Sequence, residues 1–276
     1  LRFDPEHWRA YVRVNEIFRD EILKHLRPND LVWIHDYHLM LLPHLLRKAL
    51  PKIRMGFFLH IPFPQFEIFR LIPGKWRRGI LEGLLGADVI GFHTHDYSEY
   101  FLRCVQRILG YEHHMGQLAI GGRLVKVGAF PMGIDFKKFY NAAQLPEVQK
   151  EKEELERRLG DSKVVLSVDR QDYSKGILHR LQGFEAMLES HPEWRGKVTL
   201  IMLVVPSRIG IADYEGMKKR IEELVGKING RFGTISWTPI IYQYRSLPFQ
   251  SLAAMYAMSH VALVRPLRDG MNLVAK

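Results

Sequence analysis

Apolar runs of strand length alternate with amphipathic segments of helix length along almost the whole 276-residue chain. Strand-like runs occur at 31–34, 53–59, 87–92, 164–168, 198–205, 240–242 and 261–264, and helix-like segments at 38–50, 67–71, 77–85, 97–109, 176–188, 214–228 and 248–258. Strands that alternate with helices form mainly parallel sheets that are covered on both faces. A Gly-Gly pair at 121–122 between two apolar runs predicts one hairpin. The sequence therefore predicts an α/β fold.

A charged stretch divides this alternation into two halves. Residues 141–160 contain Pro146 and no strand pattern, so they are the best candidate for a join. The predicted architecture is two doubly wound domains that face each other, residues 1–140 and residues 141–276, each large enough to bury a core. The chain does not begin with Met, and it stops after a Gly-containing run that should open a helix. We therefore expect an internal piece of a longer protein.

Composition excludes several classes of protein. With 47% hydrophobic and 25% charged residues, the chain has too much apolar surface for a disordered protein. Its longest apolar run, 198–205, is far shorter than the ~20 residues of a membrane helix. The single cysteine, Cys104, lies among apolar residues of a predicted helix and fits the core of a cytoplasmic protein. The net charge of +10 is interleaved with acidic residues, as at 150–158, which argues against nucleic acid and favours small anionic substrates.

Four polar motifs directly follow predicted strands. They are HDYH at 35–38, HIPFP at 60–64, DRQDYSKG at 169–176 and RDGMNL at 268–273. Ligands of open parallel sheets bind outside the carboxyl ends of the strands. These motifs are therefore the candidates for a functional site.

The DRQDYSKG motif carries two cations, Arg170 and Lys175, between a strand and the helix that begins near Gly176. Cations beside a helix N-terminus can bind a diphosphate, because backbone donors add to their charge. The phosphate-binding pattern GxxxxGK[ST] is absent. A surface salt bridge of these cations with Asp169 or Asp172 is the alternative interpretation.

The RDGMNL motif offers hydrogen-bonding groups of another kind. Gly270 permits a close approach of the backbone, so the N–H groups of residues 270–273 can point toward a ligand. Asp269 can accept hydrogen bonds from sugar hydroxyls. The alternative is that Asp269 caps a helix that starts with Gly270.

The histidine motifs admit two interpretations. A metal site could use His35, Asp36, His38 and His60, but neighbouring side chains at a strand end diverge and the HxxxH spacing is absent. We favour Asp36 and His60 as hydrogen-bonding partners of a neutral polar ligand, with no metal. Arg208, which follows the apolar run 198–205, is a third candidate cation for the site.

Together, these motifs resemble the trehalose-6-phosphate synthase family, which is glycosyltransferase family 20. HDYHLM at 35–40, GFFLHIPFP at 56–64, DRQDYSKG at 169–176 and LRDGMNL at 267–273 follow the order and spacing of that family, and GFHT at 91–94, FPMGID at 130–135 and ING at 228–230 match as well. The resemblance covers essentially the whole chain.

The resemblance implies a GT-B fold, in which two Rossmann-like domains have the active site in the cleft between them. Residues 1–140 would form the acceptor domain and residues 141–276 the nucleotide-sugar domain. The implied reaction moves glucose from UDP-glucose to glucose 6-phosphate with retention, giving trehalose 6-phosphate and UDP without a cofactor or metal. The resemblance is also compatible with a homo-oligomer and with a fused trehalose-6-phosphate phosphatase domain, which some relatives have.

The resemblance also implies roles for the candidate residues on the donor side. Arg170 and Lys175 would bind the UDP diphosphate and stabilise the charge that develops on it. Asp269 would bind the donor glucose. The main chain that would help to bind that glucose belongs to Gly270, Met271, Asn272 and Leu273.

On the other side of the reaction, His60 would contact the donor glucose near the reacting centre. Asp36 would bind hydroxyls of the acceptor sugar, and Arg208 would bind the acceptor phosphate. The chain departs from the family pattern at Gln171, where many relatives have Leu. It also lacks the N-terminal glycine-rich loop and aromatic residues of the acceptor site, the ribose-binding acid expected after Lys276, and the C-terminal helix.

We therefore expect the longer protein to be active and the 276-residue piece to be poorly active or inactive. Two alternative functions keep this fold. One is an enzyme with the same donor and another acceptor, as in glucosylglycerol-phosphate synthase. The other is a regulatory subunit that has lost turnover.

Overall fold

A computed structural model of the chain describes residues 3–208 and 210–276. The chain divides into two compact units, residues 1–132 (unit 1) and residues 133–276 (unit 2). Unit 1 contains α1 (Pro5–His25), β1 (Leu31–His35), α2 (Leu42–Ala49), β2 (Arg54–Phe58), α3 (Phe66–Phe69), α4 (Gly74–Leu84), β3 (Val89–Phe92), α5 (His95–Leu109), β4 (Gln117–Ile120) and β5 (Arg123–Ala129). Unit 2 contains α6 (Phe136–Ala142), α7 (Pro146–Leu159), β6 (Lys163–Arg170), α8 (Ile177–Ser190), β7 (Val198–Val205), α9 (Ala212–Phe232), β8 (Ile240–Tyr244), α10 (Phe249–Met258) and β9 (Val261–Ala262).

The sheet of unit 1 has five strands in the order β1-β2-β3-β5-β4. The first four are parallel, and β4 pairs antiparallel to β5 across the predicted Gly-Gly hairpin. Ile34, Phe57 and Ile90 are neighbours in register on β1, β2 and β3, and they point to the same face, where they pack in the buried core. The opposite face carries Trp33, which is 64% exposed, and Phe130, which is also exposed.

The sheet of unit 2 has four parallel strands in the order β8-β7-β6-β9. Its central strand β7 is buried along nearly its whole length, as expected for a strand covered on both faces. Leu200 and Met202 pack with α8 and α9 on one face, and Ile201 packs with Met255 of α10 on the other. Among the helices that the structure describes, none is both long enough and apolar enough to cross a membrane.

All seven predicted strands and the hairpin are present, but one predicted helix differs from the structure and one helix was not predicted. The predicted helix 38–50 is a 3-10 turn, Tyr37–Leu39, followed by α2, which starts just before Pro43. Proline has no N–H to donate and is accommodated in the first turn of a helix. Helix α1 was not predicted, although Asp4 caps it by accepting the N–H of Glu6, with Pro5 at its first position.

The two compact units meet between Met132 and Gly133, whereas the sequence placed the domain boundary at 140/141. Helix α6 belongs to unit 2 because the ring of Phe139 packs edge-on against Phe249 at 5.1 Å. The ammonium group of Lys138 lies 4.8 Å from the centre of the same ring. The charged stretch 141–160 is therefore largely helix α7 and part of unit 2, not a linker.

Candidate functional site

The carboxyl ends of β6 and β9 bring two of the predicted motifs together. Lys175 lies in a 3-10 turn after β6, and Asp269 lies in the loop after β9. The Nζ atom of Lys175 is 2.5 Å from Oδ2 of Asp269, and the two side chains are only 13% and 20% exposed. The N–H of Leu267 also donates to the carbonyl of Ser174 at 2.7 Å. The DRQDYSKG and RDGMNL loops therefore form one continuous surface.

Gly176 makes this close approach of the two loops possible. Its φ of +67° lies in the left-handed region that favours glycine. A Cβ atom at this position would also lie 2.8 Å from the carbonyl oxygen of Arg265. Any other residue would force the two loops apart.

A buried arginine that sequence reasoning missed holds the turn of Lys175 in place. The guanidinium of Arg180 donates to Oδ2 of Asp169 at 2.5 Å and to the carbonyl oxygen of Lys175 at 3.0 Å. It also donates to Oγ of Ser167 at 2.6 Å and to the carbonyl oxygen of Leu263 at 3.1 Å. Burial raises the pKa of the Asp169 carboxyl, and the charge of Arg180 opposes that rise.

A signal for this arginine was present in the sequence. Asp169 continues an apolar strand at an inward-facing position, and a buried carboxylate requires a cation or several donors. Arg180 lies beside the apolar residues Leu181 and Phe184 of α8, so it was hidden in a helix face that was interpreted as core.

The salt bridges considered as an alternative for Arg170 and Lys175 are not those that form. Asp169 pairs with Arg180, and Asp172 accepts hydrogen bonds from the N–H and hydroxyl of Ser174 at 2.9 and 2.8 Å. Arg170 ends β6 with an exposed side chain, and no ion pair or side-chain hydrogen bond of it is found within the described part of the chain. Its guanidinium is therefore available to an anion.

The capping alternative for Asp269 is also not observed. Gly270 does not begin a helix, and its N–H donates to Oδ1 of Asp269 at 3.0 Å. The nearest helical turn is Leu273–Ala275, which is capped by Asn272 through a 3.0 Å bond from the N–H of Val274. Asp269 is thus a partner of Lys175.

Arg208 follows β7 and adopts a φ of +51°, which is unusual for a residue with a side chain. Its Nη1 lies 2.5 Å from the hydroxyl of Tyr214, which in turn lies 3.4 Å from Oδ2 of Asp172. Burial of Asp172 raises its pKa, but the bonds from Ser174 and the charge of Arg208 outweigh this and lower the pKa below its usual value. Arg208 is thus held by neighbours of the DRQDYSKG loop.

The structure also explains how the departure at Gln171 is accommodated. This amide is buried, and its Nε2 donates to the carbonyl oxygen of Tyr214. Its Oε1 accepts the hydroxyl of Tyr244 at 2.6 Å. Both ends of the amide are satisfied, so a polar residue fits this buried position.

In unit 1, the ends of β1 and β2 bring Asp36, His35 and His60 together. Asp36 has a φ of +70°, and its N–H donates to the carbonyl oxygen of Phe58 at 2.8 Å. Its Oδ1 accepts the N–H of His60 at 3.3 Å. Nδ1 of His35 lies 3.0 Å from Nε2 of His60, so one ring donates and the other accepts. Burial, followed by the charge of His60, lowers the pKa of His35.

These histidines adjoin an apolar hollow of about 430 Å³ on the open face of the sheet. Trp33, Phe58 and Phe130 form its walls. Glycines form its floor, and the ring of His93 lies 5.4 Å from that of His60. The hollow is concave and mostly apolar, as small-molecule sites are, so it suits an uncharged part of a ligand better than a charged group.

The metal interpretation gains no geometric support from the residues described. Within 3–208 and 210–276, no three His, Cys, Asp or Glu side chains are arranged to hold a metal ion. The ring of His38 lies against that of Tyr37, with the ring centres 3.8 Å apart and the planes tilted by 31°.

Each unit thus places polar and charged groups at the carboxyl ends of parallel strands, which is where doubly wound α/β proteins bind polar or phosphorylated small molecules. The mixed α/β fold of this chain, with its parallel sheets, matches GT-B glycosyltransferase structures. The chain belongs to glycosyltransferase family 20, whose model matches residues 1–276.

Three similar proteins illustrate the relationship. A bifunctional trehalose-6-phosphate synthase/phosphatase of Thermoproteus tenax is 53% identical over 99% of the chain. A UDP-forming α,α-trehalose-phosphate synthase of Burkholderia xenovorans, solved with glucose 6-phosphate, is 35% identical over 100% of the chain, with a TM-score of 0.92. A structure from E. coli with bound UDP-2-fluoro glucose is 36% identical over 100% of the chain, with a TM-score of 0.92. The chain spans 37% of the first and 61% of each of the other two.

Proposed function

We propose that the full-length protein containing this chain transfers glucose from UDP-glucose to glucose 6-phosphate with retention, releasing trehalose 6-phosphate and UDP. The observation that carries this proposal is the contact of Lys175 with Asp269, which joins two predicted donor-binding loops at one sheet edge. Membership of family 20 supports the reaction. The glucose 6-phosphate and UDP-2-fluoro glucose of the two solved relatives support the substrates.

On the donor side, Arg170 and Lys175 bind the diphosphate in the proposed mechanism. Arginine can make two parallel bonds to phosphate, and lysine acts as a compact charge. Negative charge develops on the departing UDP, so cations that are already in position stabilise the transition state. Asp269 and the main chain of residues 270–273 bind the glucose. The proposal needs no metal and no cofactor.

On the acceptor side, His60 contacts the donor glucose near the reacting carbon, Asp36 accepts bonds from acceptor hydroxyls, and Arg208 binds the acceptor phosphate. The positive φ angles of Asp36 and Arg208 support these roles. Such conformations are uncommon outside glycine and cluster at functional sites. The roles of units 1 and 2 as acceptor and donor domains are part of the proposal.

We also infer that the reaction takes place in the cytoplasm. Cys104 is the single cysteine of the chain, so no disulfide forms within it. Burial raises the pKa of its thiol to about 12, which makes the thiol unreactive. A buried, reduced thiol suits a reducing compartment. The Thermoproteus relative combines synthase and phosphatase in its name. The mass of the full-length protein will show whether a phosphatase region is present here.

The direct test is nucleotide release by the full-length protein with UDP-glucose. Glucose 6-phosphate, glycerol 3-phosphate and no acceptor are compared, each with and without EDTA. We expect release that requires glucose 6-phosphate and persists in EDTA. Release only with glycerol 3-phosphate would assign another acceptor. UDP binding without any release would indicate a regulatory protein.

Lys175→Ala tests the donor site within the same assay. Loss of one charge-assisted contact should weaken UDP binding by about tenfold or more. Lys197→Ala is the matched control, because Lys197 is exposed and its backbone pairs with Lys163, at the opposite end of β6. Equal UDP affinity in the two variants would contradict the diphosphate assignment while leaving the family membership untouched.

A further inference from the structure

A second cavity lies in unit 1, away from the residues used in the proposed reaction. It has a volume of about 620 Å³ and is formed by α3, α4 and α5. Four arginines line it, namely Arg70, Arg77, Arg78 and Arg107. No residue of this lining belongs to the motifs that predicted the glycosyltransferase site.

Neutral groups hold three of these guanidinium groups in place. Arg77 donates to the carbonyl oxygen of Arg70, and Arg78 donates to the carbonyl oxygen of Ile108 at 3.2 Å. The guanidinium of Arg107 lies 4.7 Å from the centre of the Phe66 ring. Because these anchors are uncharged, they orient the side chains without cancelling their charge. Apart from the contact of Arg78 with Glu82, the remaining N–H donors are available to a ligand.

Acidic residues neutralise only half of the charge. Glu82 lies 3.2 Å from Arg78, and Glu67 lies 3.9 Å from Arg107. Within the described residues, neither Arg70 nor Arg77 has a carboxylate within ion-pair distance. Four guanidinium groups and two carboxylates leave a charge of about +2 in one concave site, which matches the dianion of a phosphate monoester.

We propose that this cavity is a binding site for a small phosphate ester, separate from the glycosyltransferase site. The guanidinium groups of Arg70, Arg77 and Arg107 bind the phosphate, since arginine can form paired bonds with phosphate oxygens. Phe66 and Ile108 provide an apolar wall for the organic part. The volume is within the range of small-molecule sites. The proposal does not depend on the reaction assigned above.

The test is calorimetric titration of the full-length protein with ribose 5-phosphate, with ribose and inorganic phosphate as comparison ligands. We expect saturable binding of ribose 5-phosphate, weaker binding of phosphate and none of ribose. The double variant Arg70→Gln/Arg107→Gln should lose affinity by about tenfold or more, because two charged donors are removed. Arg103→Gln, an exposed change one turn earlier on α5, should change affinity less than twofold.

Circular dichroism melting curves establish that these surface variants fold. Absence of binding by the wild type, or binding that the double variant retains in full, would overturn the proposal. Equal affinity for inorganic phosphate would overturn the assignment of an ester. Binding of RNA but not of ribose 5-phosphate through the same arginines would show a nucleic-acid surface instead.

Discussion

The two sheet edges that carry the candidate residues are built by different physical means. In unit 2, Lys175 is fixed by ion pairing with Asp269 and by a carbonyl contact to the buried Arg180. In unit 1, His60 is supported by a hydrogen bond between its ring and that of His35, and it lies beside an open hollow. Buried charge and backbone contacts therefore preorganise the edge in unit 2, whereas the edge in unit 1 leaves space for side chains to move.

Among the variants considered, removal of Arg180 should cause the largest loss of stability. Arg180→Met leaves Asp169 as an unpaired buried carboxylate, so we expect a loss of about 3–5 kcal/mol in the free energy of unfolding by urea. Arg231→Met is the control, because the Arg231 side chain is half exposed and its ion pairs with Glu185 and Glu189 should contribute only about 0–1 kcal/mol. Similar losses in both variants would show that the buried network of Arg180 contributes no more to stability than the exposed ion pairs of Arg231.

A methyl group at Gly176 should have the next largest effect. Gly176→Ala combines a positive φ with a backbone clash at Arg265, so we expect a loss of about 1–3 kcal/mol and weaker UDP binding. Gly183→Ala is the matched control on α8, where a Cβ meets no atom within 4 Å. That change should stabilise the protein by about 0.5–1 kcal/mol. Urea titrations of both variants check these signs.

The corresponding glycine-to-alanine change in unit 1 should cost less stability than Gly176→Ala, because unit 1 leaves more space for side chains to move. In Gly91→Ala the new Cβ would lie 2.6 Å from the ring of Phe58, but that ring borders the hollow and can turn into it. We expect a loss of about 1 kcal/mol. Gly128→Ala, next to Gly91 in the sheet and 3.6 Å from Phe130, should stay within about 0.5 kcal/mol of the wild type. A loss in Gly91→Ala as large as that in Gly176→Ala would mean that the open face is as rigid as unit 2.

The smallest effect concerns pH. The pKa of His35 is lowered by burial and by His60, so the unfolded chain binds more protons between the folded pKa and about 6.5. Stability should therefore fall slightly as the pH is lowered through that window. NMR titration of the His35 ring measures its pKa directly. In His60→Gln the pKa of His35 should rise only part of the way toward 6.5, because burial is the larger cause of its low value. An unchanged pKa would show that His60 has no electrostatic effect on His35.

The fold was largely predictable because the alternation of strands and helices is a local property of the sequence. Val198–Val205 illustrates this, since a run that is apolar except for Thr199 indicates a strand or helix buried on all sides, and its length favours the strand. Helix α1 was missed because its mean polarity hides its apolar stripe, although the cap at Asp4 was legible. The position of each motif at a strand end also followed from sequence.

The pairing of the site residues was not predictable in the same way. Whether Lys175 meets Asp169, Asp172 or Asp269 depends on how the loop after β9 lies against the turn after β6, and 94 residues separate the observed partners. Arg180 was missed for a related reason, because its partners come from β6, the loop of Lys175 and the end of β9. Contacts of this kind exist only once the sheet has formed.

The ion pair of Lys175 with Asp269 has one more consequence for ligand choice. Under the proposed assignment, Asp269 is a tethered competitor for Lys175, present at a high effective concentration because the fold holds it 2.5 Å away. An incoming anion must displace it. A ligand that reaches Arg170 with one phosphate, Lys175 with the next and Asp269 with a sugar hydroxyl replaces every contact that it breaks. A lone phosphate does not, and the internal pair therefore acts as a threshold that selects for the whole nucleotide sugar.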